Sequence, residues 1–202
     1  RLAPPPGPVL QTPPSSHDDP EPGERSTHPP GYTENAGIVC HTHPRLMMAE
    51  AAVGHGEGAL DYYLRINPSA REDISEIHRC EPYVYCQMIA GKDAPKHGEA
   101  KNSWLSGTAA WNFVAATQGI LGIRPEHDGL RVDPVLPADW DGFKATRVFR
   151  STTYRITVEK DIGATGRVSS LEVDGTRVEG NVIPLPAEPG AIVEIAARIG
   201  GG

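Results

Sequence analysis

The chain has 202 residues, of which 38% are hydrophobic, and its formal net charge is -7. This length supports one good core, or a modest core with a second small unit. The acidic balance argues against nucleic acid or an anionic membrane as partner, because their phosphate groups would repel the chain. No apolar run reaches the roughly 18 residues that a membrane helix requires.

The first residue is Arg1, and no apolar segment typical of a signal peptide follows it. Because the sequence begins with Arg1 and not with methionine, we expect a fragment or a processed product. The three cysteines are Cys40, Cys80 and Cys86, and this odd number argues against a closed disulfide framework. Reduced thiols favour a cytoplasmic protein.

Residues 1–30 are rich in proline, which predicts a loop or a disordered tail. Residues 44–67 have helical periodicity that Gly54 and Gly56 interrupt, so two short helices are predicted there. Asn67-Pro68 ends the second helix, because the residue before proline avoids the helical region. The apolar run at 81–90 fits either a helix or a strand.

The clearest helical pattern covers residues 104–121, and Gly122 is a plausible stop. After residue 129 the apolar residues alternate, which is typical of strands with one buried face. Asp174-Gly175 predicts a hairpin turn, and a last strand is predicted at 191–196. The periodicity therefore indicates an α+β chain with a helical part followed by a β-rich part.

His41 and His43 are two residues apart and would share a face on a strand. A zinc site is one interpretation, with further ligands from the nearby cysteines and histidine: Cys40, His78, Cys80 and Cys86. This spacing does not match a known ligand pattern. Buried core cysteines and hydrogen-bonded histidines are therefore the favoured interpretation.

Hydroxyl side chains and a glycine surround the start of the predicted helix, at Ser103, Ser106, Gly107 and Thr108. Free backbone N–H groups and hydroxyls at a helix N-terminus can bind phosphate. The alternative is ordinary N-capping by Ser103, which these residues taken alone favour. Several aromatic residues could stack on sugar rings or pack in the core: Tyr83, Tyr85, Trp104, Trp111 and Trp140.

Three segments carry a specific resemblance. They are EPYVYCQMIAGKDAPKHGEAKNSWLSGTAAWNFVAATQGILGIRP at 81–125, GLRVDPVLPADWDGFKATRVFR at 129–150 and PPGYTENAGIVCH at 29–41. Over residues 28–160 the chain resembles the family-94 glycoside phosphorylases, of the cellobiose and chitobiose phosphorylase type. The resemblance implies helices of a partial (α/α)6 barrel at 31–125, followed by a small antiparallel β-rich segment at 126–202.

The resemblance also implies an inverting enzyme that splits a β-linked disaccharide with inorganic phosphate. Such enzymes use no metal or cofactor and are usually homodimers. Their general acid is an aspartate upstream of the matched segments, so this chain is expected to carry no catalytic residue. By position, His41, Ser106 and Gly107 match the phosphate-binding residues of the family, and Gln87 matches a sugar-binding glutamine. The alternative is a non-catalytic carbohydrate-binding remnant or a truncated, inactive fragment.

Overall fold

A computed structural model describes residues 7–16, 23, 27–164 and 166–200. It has an α+β fold with a β-rich C-terminal part. The chain divides into two compact units, of which the first comprises Arg1–Met47 with Asp61–Val114 and the second Met48–Leu60 with Ala115–Gly202. In the part of the chain described, no helix is both long and apolar enough to cross a membrane.

The first unit contains a three-stranded antiparallel sheet in the order β1-β2-β3. Its strands are β1 (Ile38–Val39), β2 (Cys86–Ile89) and β3 (Ala100–Ser103). The apolar run at 81–90 is therefore a strand rather than a helix. Within β2 only Gln87 is exposed, while Cys86, Met88 and Ile89 are buried. Buried side chains of Ile38, Cys40, Ile66, Cys86 and Ile89 form the core of this sheet.

The predicted pair of helices between residues 44 and 67 is confirmed as α1 (His43–Ala52) and α2 (Gly56–Ile66). The Asn67 side chain then accepts a hydrogen bond from the backbone N–H of Ser69, which caps a 3-10 turn at Pro68–Ile74. A single-turn helix, α3 (Ser75–His78), follows.

The helix predicted at 104–121 begins later in the structure. Its α-helical part is α4 (Thr108–Val114), which continues as a π-helix at Ala115–Ile120. Trp104 has a left-handed backbone with φ of 68° and so cannot lie in the helix. Gly122, with φ of 63°, ends the helical run as predicted.

Of the proline-rich segment at 1–30, residues 1–6, 17–22 and 24–26 lie outside the described part. Residues 7–16 form neither helix nor strand. Ser15 in this loop is buried, and its backbone N–H donates to Asn35 Oδ1 at 2.7 Å. The Asn35 amide in turn donates to the Ser15 carbonyl oxygen at 3.0 Å. These reciprocal bonds fix this part of the loop to the segment that precedes β1.

The second unit contains two sheets. A three-stranded sheet has the order β10-β5-β4, and a five-stranded sheet has the order β6-β7-β11-β8-β9. The strands are β4 (Ile123–Pro125), β5 (Gly129–Val132), β6 (Gly142–Phe149), β7 (Thr152–Lys160), β8 (Val168–Val173), β9 (Thr176–Val178), β10 (Val182–Pro184) and β11 (Ile192–Ile199). The Asp174-Gly175 hairpin is confirmed between β8 and β9.

One strand pair departs from the antiparallel arrangement that was expected. Strand β11 lies between β7 and β8 and runs parallel to β7, from Ile192 opposite Thr153 to Ile199 opposite Lys160. It is antiparallel to β8. Alternate β11 residues are buried, because successive side chains point to opposite faces of the sheet and only one face packs into the core. The β-rich part is therefore mostly, but not wholly, antiparallel.

A buried carboxylate links elements of the second unit. Asp133 is 7% exposed and accepts hydrogen bonds from Arg124 at 3.3 Å and from Arg167 at 2.8 Å. Arg167 also donates to the carbonyl oxygens of Ala51 and Ala52 at the C-terminus of α1. Cationic groups stabilise this end of a helix, where the last carbonyl oxygens have no helical partner.

Candidate functional site

His41 lies in a 3-10 turn, Cys40–Thr42, between β1 and α1. The β-branched pair of β1 keeps the chain extended up to Val39, and the Thr42 hydroxyl then donates to the Val39 carbonyl oxygen at 2.8 Å. This local bond turns the chain directly after the sheet. As a result the His41 side chain is exposed.

Gly107 lies next to the His41 imidazole although 66 positions separate the two residues in the sequence. A methyl group at position 107 would lie 3.6 Å from His41 Nε2. The Trp111 ring, one turn further along α4, lies 6.0 Å from the His41 ring between centroids and is tilted by 55°. An exposed imidazole therefore faces Gly107, the residue directly before α4, which has no side chain.

Ser106 caps this helical run. Its Oγ accepts a hydrogen bond from the backbone N–H of Thr108 at 3.0 Å and lies close to the Thr108 hydroxyl. The expected cap by Ser103 is wrong, since Ser103 ends β3 and pairs with Cys86. His41, Ser106 and Gly107, predicted as phosphate-binding residues, thus lie in one region of the first unit.

Gln87 is exposed on β2, and its carbonyl Oε1 accepts a hydrogen bond from Asn102 Nδ2 at 2.6 Å. This bond does not use the two N–H donors of the Gln87 amide. Asn102 lies on the neighbouring strand β3 and has a left-handed backbone with φ of 55°, which asparagine tolerates better than most residues. Sequence reasoning missed Asn102, because only the register of β2 and β3 brings the two amides together.

The turn from Val39 towards His41 runs along β2. Val39 pairs with Met88 in the antiparallel register, so the residues after Val39 pass those before Met88. The contact between Cys40 and Cys86, whose sulfur atoms are 3.7 Å apart, agrees with this direction. The sheet therefore brings the backbone that carries His41 alongside the strand that carries Gln87.

Two of the aromatic residues noted in the sequence are strongly exposed in this unit. Tyr83 is 74% and Trp104 68% exposed, and their rings meet edge to face with centroids 6.4 Å apart. Trp104 Nε1 donates to Glu81 Oε1 at 3.0 Å, and this bond lowers the pKa of the Glu81 carboxyl. Exposed rings of this kind are free to contact a sugar or further polypeptide.

His43 has a structural role. It is fully buried, its Nδ1 lies 3.3 Å from the Val39 carbonyl oxygen, and its ring meets Tyr62 edge to face at 6.4 Å. Burial lowers the pKa of His43 to about 4, so the imidazole is neutral at physiological pH. Its Nδ1 then carries the proton, which it donates to Val39.

Of the residues of the alternative zinc interpretation, Cys40 and Cys86 are in contact and Cys80 packs against the same core. His78 is buried with Nδ1 3.4 Å from the Gly98 carbonyl oxygen, and the Cys80 thiol donates to the Val84 carbonyl oxygen at 3.4 Å. Within the described ranges, no three side chains of histidine, cysteine, aspartate or glutamate are grouped as a metal site would require.

Comparison with known proteins identifies the family. Residues 1–122 match the model of the glycosyl hydrolase 94 superfamily, catalytic domain. The chain is 42% identical over 159 residues to the N,N'-diacetylchitobiose phosphorylase of Vibrio furnissii. The matched region covers 78% of this chain and 20% of that protein. The chain is 40% identical over 154 residues to the enzyme of the same name from Vibrio proteolyticus, covering 76% of this chain and 19% of that protein.

A further relative is the solabiose phosphorylase of Paenibacillus borealis, which is 33% identical over 179 residues, or 89% of this chain and 23% of that protein. The chain thus spans about a fifth of the length of the curated relatives that it matches. Since the family model covers more than half of the residues, the chain belongs to the glycosyl hydrolase 94 superfamily, and its relatives include disaccharide phosphorylases.

Proposed function

We propose that this chain supplies the phosphate site and one wall of the −1 sugar subsite of an inverting disaccharide phosphorylase. The observation that carries the proposal is the approach of Gly107 to His41, with 3.6 Å between His41 Nε2 and the position of a methyl group on Gly107. The resemblance of the sequence implies that both residues occupy phosphate-binding positions, which supports the proposal.

The chemistry of these groups suits an anion. A backbone N–H near the start of a helical run, a hydroxyl and an imidazole can each donate a hydrogen bond to a phosphate oxygen. Glycine at position 107 lets the anion approach the backbone closely, because no side chain intervenes. Ser106 already holds the first turn through the Thr108 N–H, so the donors are in place before phosphate binds.

Gln87 contributes the sugar contact in this proposal. An amide both donates and accepts, which suits sugar hydroxyls. Asn102 occupies the Gln87 Oε1 atom, so the N–H donors of the amide are left for the sugar. Asn102 is therefore a positioning residue that fixes the orientation of the Gln87 amide.

The reaction that we propose has one proton transfer. A phosphate oxygen attacks the anomeric carbon of a β-linked disaccharide, while a general acid protonates the leaving glycosidic oxygen. Phosphate is already an anionic nucleophile and needs no base, in contrast to the water of an inverting hydrolase. The acid is an aspartate supplied by polypeptide outside this chain.

The missing polypeptide would complete an (α/α)6 barrel around the site. This part of the proposal is supported by large apolar side chains that lie exposed in the first unit, at Tyr83, Trp104 and Leu105, with exposures of 74%, 68% and 75%. Clustered exposure of this kind marks an interaction surface. The chain spans only about a fifth of the length of its relatives, which agrees with a barrel that further polypeptide completes.

The test uses the complete enzyme that contains this chain. Removing a hydrogen bond to a charged group costs about 1.5–3 kcal/mol, so His41→Ala should raise the phosphate KM roughly 10- to 150-fold. The disaccharide KM should change much less. His97→Ala, which removes an exposed histidine elsewhere in the same unit, serves as the control.

Equal increases of both KM values in His41→Ala would contradict the assigned role. The isolated 202-residue chain should not release sugar 1-phosphate from diacetylchitobiose or cellobiose in the presence of phosphate. Release by the isolated chain would show that the acid lies within it.

A further inference from the structure

Two buried thiols flank the proposed site. Cys40 directly precedes His41, and Cys86 directly precedes Gln87. The two side chains are 0% and 2% exposed, and their sulfur atoms lie 3.7 Å apart. We propose that Cys40 and Cys86 are a redox modification site, which a peroxide oxidises to a disulfide that weakens phosphate binding. The consequence for phosphate rests on the proposed function, whereas the disulfide itself does not.

The geometry favours this pair over the other cysteine combinations. A disulfide bond is about 2.05 Å long, so the two sulfurs must approach by roughly 1.7 Å in total. Cys86 lies on β2, and Cys40 follows β1 on the adjacent antiparallel strand. Val39 pairs with Met88, so Cys40 lies diagonally across from Cys86, and the two sulfur atoms already lie 3.7 Å apart.

The two thiols are chemically different. The two thiols share a hydrogen bond in which either sulfur can donate; this contact lowers the pKa of Cys86, while the same contact and burial raise that of Cys40. The positive charge of the buried Arg71 guanidinium further lowers the pKa of Cys86. We take Cys86 as the sulfur that attacks first, because its pKa is the lowered one of the pair and the thiolate is the nucleophile.

The reaction balances in two steps. The Cys86 thiolate attacks one oxygen of hydrogen peroxide, which breaks the O–O bond and gives a sulfenic acid and hydroxide; the hydroxide takes up a proton to become water. The Cys40 sulfur then attacks the sulfenic sulfur, its proton leaves with the hydroxyl group as a second water, and the disulfide forms. Two thiols lose two hydrogens in total, and one peroxide is reduced to two waters.

Burial limits which oxidant can react. Neither sulfur is accessible to a large disulfide reagent, whereas peroxide is close to water in size and can enter through local opening of the chain. Cys80 provides a matched comparison within the same unit. Its thiol is engaged with the Val84 carbonyl oxygen, and burial raises the pKa of Cys80 to about 11.

Formation of the disulfide would shift His41 and Gln87, the two proposed binding residues next to the cysteines. His41 and Gln87 are each one peptide bond from a sulfur-bearing residue that must move, and their relative position changes with the approach of the two strands. A displaced His41 would lose its hydrogen bond to the phosphate anion. We therefore expect the phosphate KM to rise roughly ten- to a hundredfold on oxidation and to return on reduction.

The experiment treats the complete enzyme with hydrogen peroxide, blocks the remaining thiols by alkylation, and maps the disulfide by peptide mass spectrometry. Wild type and Cys80→Ala should both yield a Cys40–Cys86 crosslink, lose phosphate affinity and recover it with dithiothreitol. Cys86→Ala and Cys40→Ala should keep their phosphate KM after the same treatment. These two positions lie beside the proposed binding residues and do not belong to them.

Absence of the crosslink in wild type, or a crosslink to Cys80 instead, would overturn the assignment of the modification site. A crosslink that forms while the phosphate KM stays the same would overturn its effect on the site. If the reduced enzyme shows no phosphorolysis, the proposed function fails, and the mass map still decides whether Cys40 and Cys86 join.

Discussion

Burial of the His43 imidazole should make the stability of the protein depend on pH. His43 is fully buried, and burial lowers its pKa to about 4, whereas an unfolded histidine has a pKa of about 6.5. As the pH falls through this window the unfolded chain binds a proton that the folded chain does not, so stability decreases. The whole contribution is present above pH ~6.5 and is lost by pH ~4, and it amounts to about 3 kcal/mol.

The assay is urea unfolding at about pH 7.5 and about pH 5. Over this interval His43 should account for a loss of about 2 kcal/mol in the free energy of unfolding. The variant His43→Gln cannot be protonated and should lack this part of the loss, while carboxylate effects are shared by both proteins. His97→Gln, at an exposed histidine, should behave like wild type.

The reasoning would be refuted by a His43→Gln protein that keeps the full pH dependence of wild type. If His43→Gln does not fold, an NMR titration of the histidine ring protons in wild type gives the same answer. A His43 resonance that titrates at or above pH ~6.5 would contradict the effect assigned to burial.

Three further changes have definite expected outcomes. A methyl group at Gly7 would lie 1.7 Å from His43 Nε2. Gly7→Ala should therefore lower the free energy of unfolding by about 1–3 kcal/mol or more, seen as a lower urea midpoint. An unchanged midpoint would contradict this contact. Asp133→Asn leaves two arginines without their carboxylate and should cost about 1–3 kcal/mol, less than a fully buried pair because both arginines reach solvent; calorimetric melting checks it. In the complete enzyme, Asn102→Gly tolerates the left-handed backbone and removes the bond to Gln87, so the sugar KM should rise roughly 2- to 10-fold with the phosphate KM unchanged. A rise in the phosphate KM alone would count against a sugar role.

Much of the secondary structure could be predicted from the sequence, because its signals are local. The interruption at Gly54 and Gly56 separates α1 from α2, and Asp174-Gly175 turns between β8 and β9. The start of α4 was misplaced by four residues. The apolar periodicity extends back to Trp104, and only the backbone conformation of Trp104 and the cap by Ser106 exclude the first turn.

The long-range pairings could not be predicted from local patterns. Strand β11 reads as an alternating strand in the sequence, but its place between β7 and β8 depends on which edges are free when it pairs. The same limit applies to the candidate site. His41 and Gly107 were grouped by resemblance, whereas Asn102 carries no signal of its own and is joined to Gln87 only by strand register.

The position of β11 has a consequence for how the second unit forms during synthesis. The central strand of the five-stranded sheet is the last of the five to leave the ribosome, because β6, β7, β8 and β9 all precede residues Ile192–Ile199. Until then β7 and β8 each have an open edge that could pair with another chain. The sheet is thus completed only after translation of its final strand, and a stop codon before residue 192 would leave two unjoined hairpins, β6 with β7 and β8 with β9.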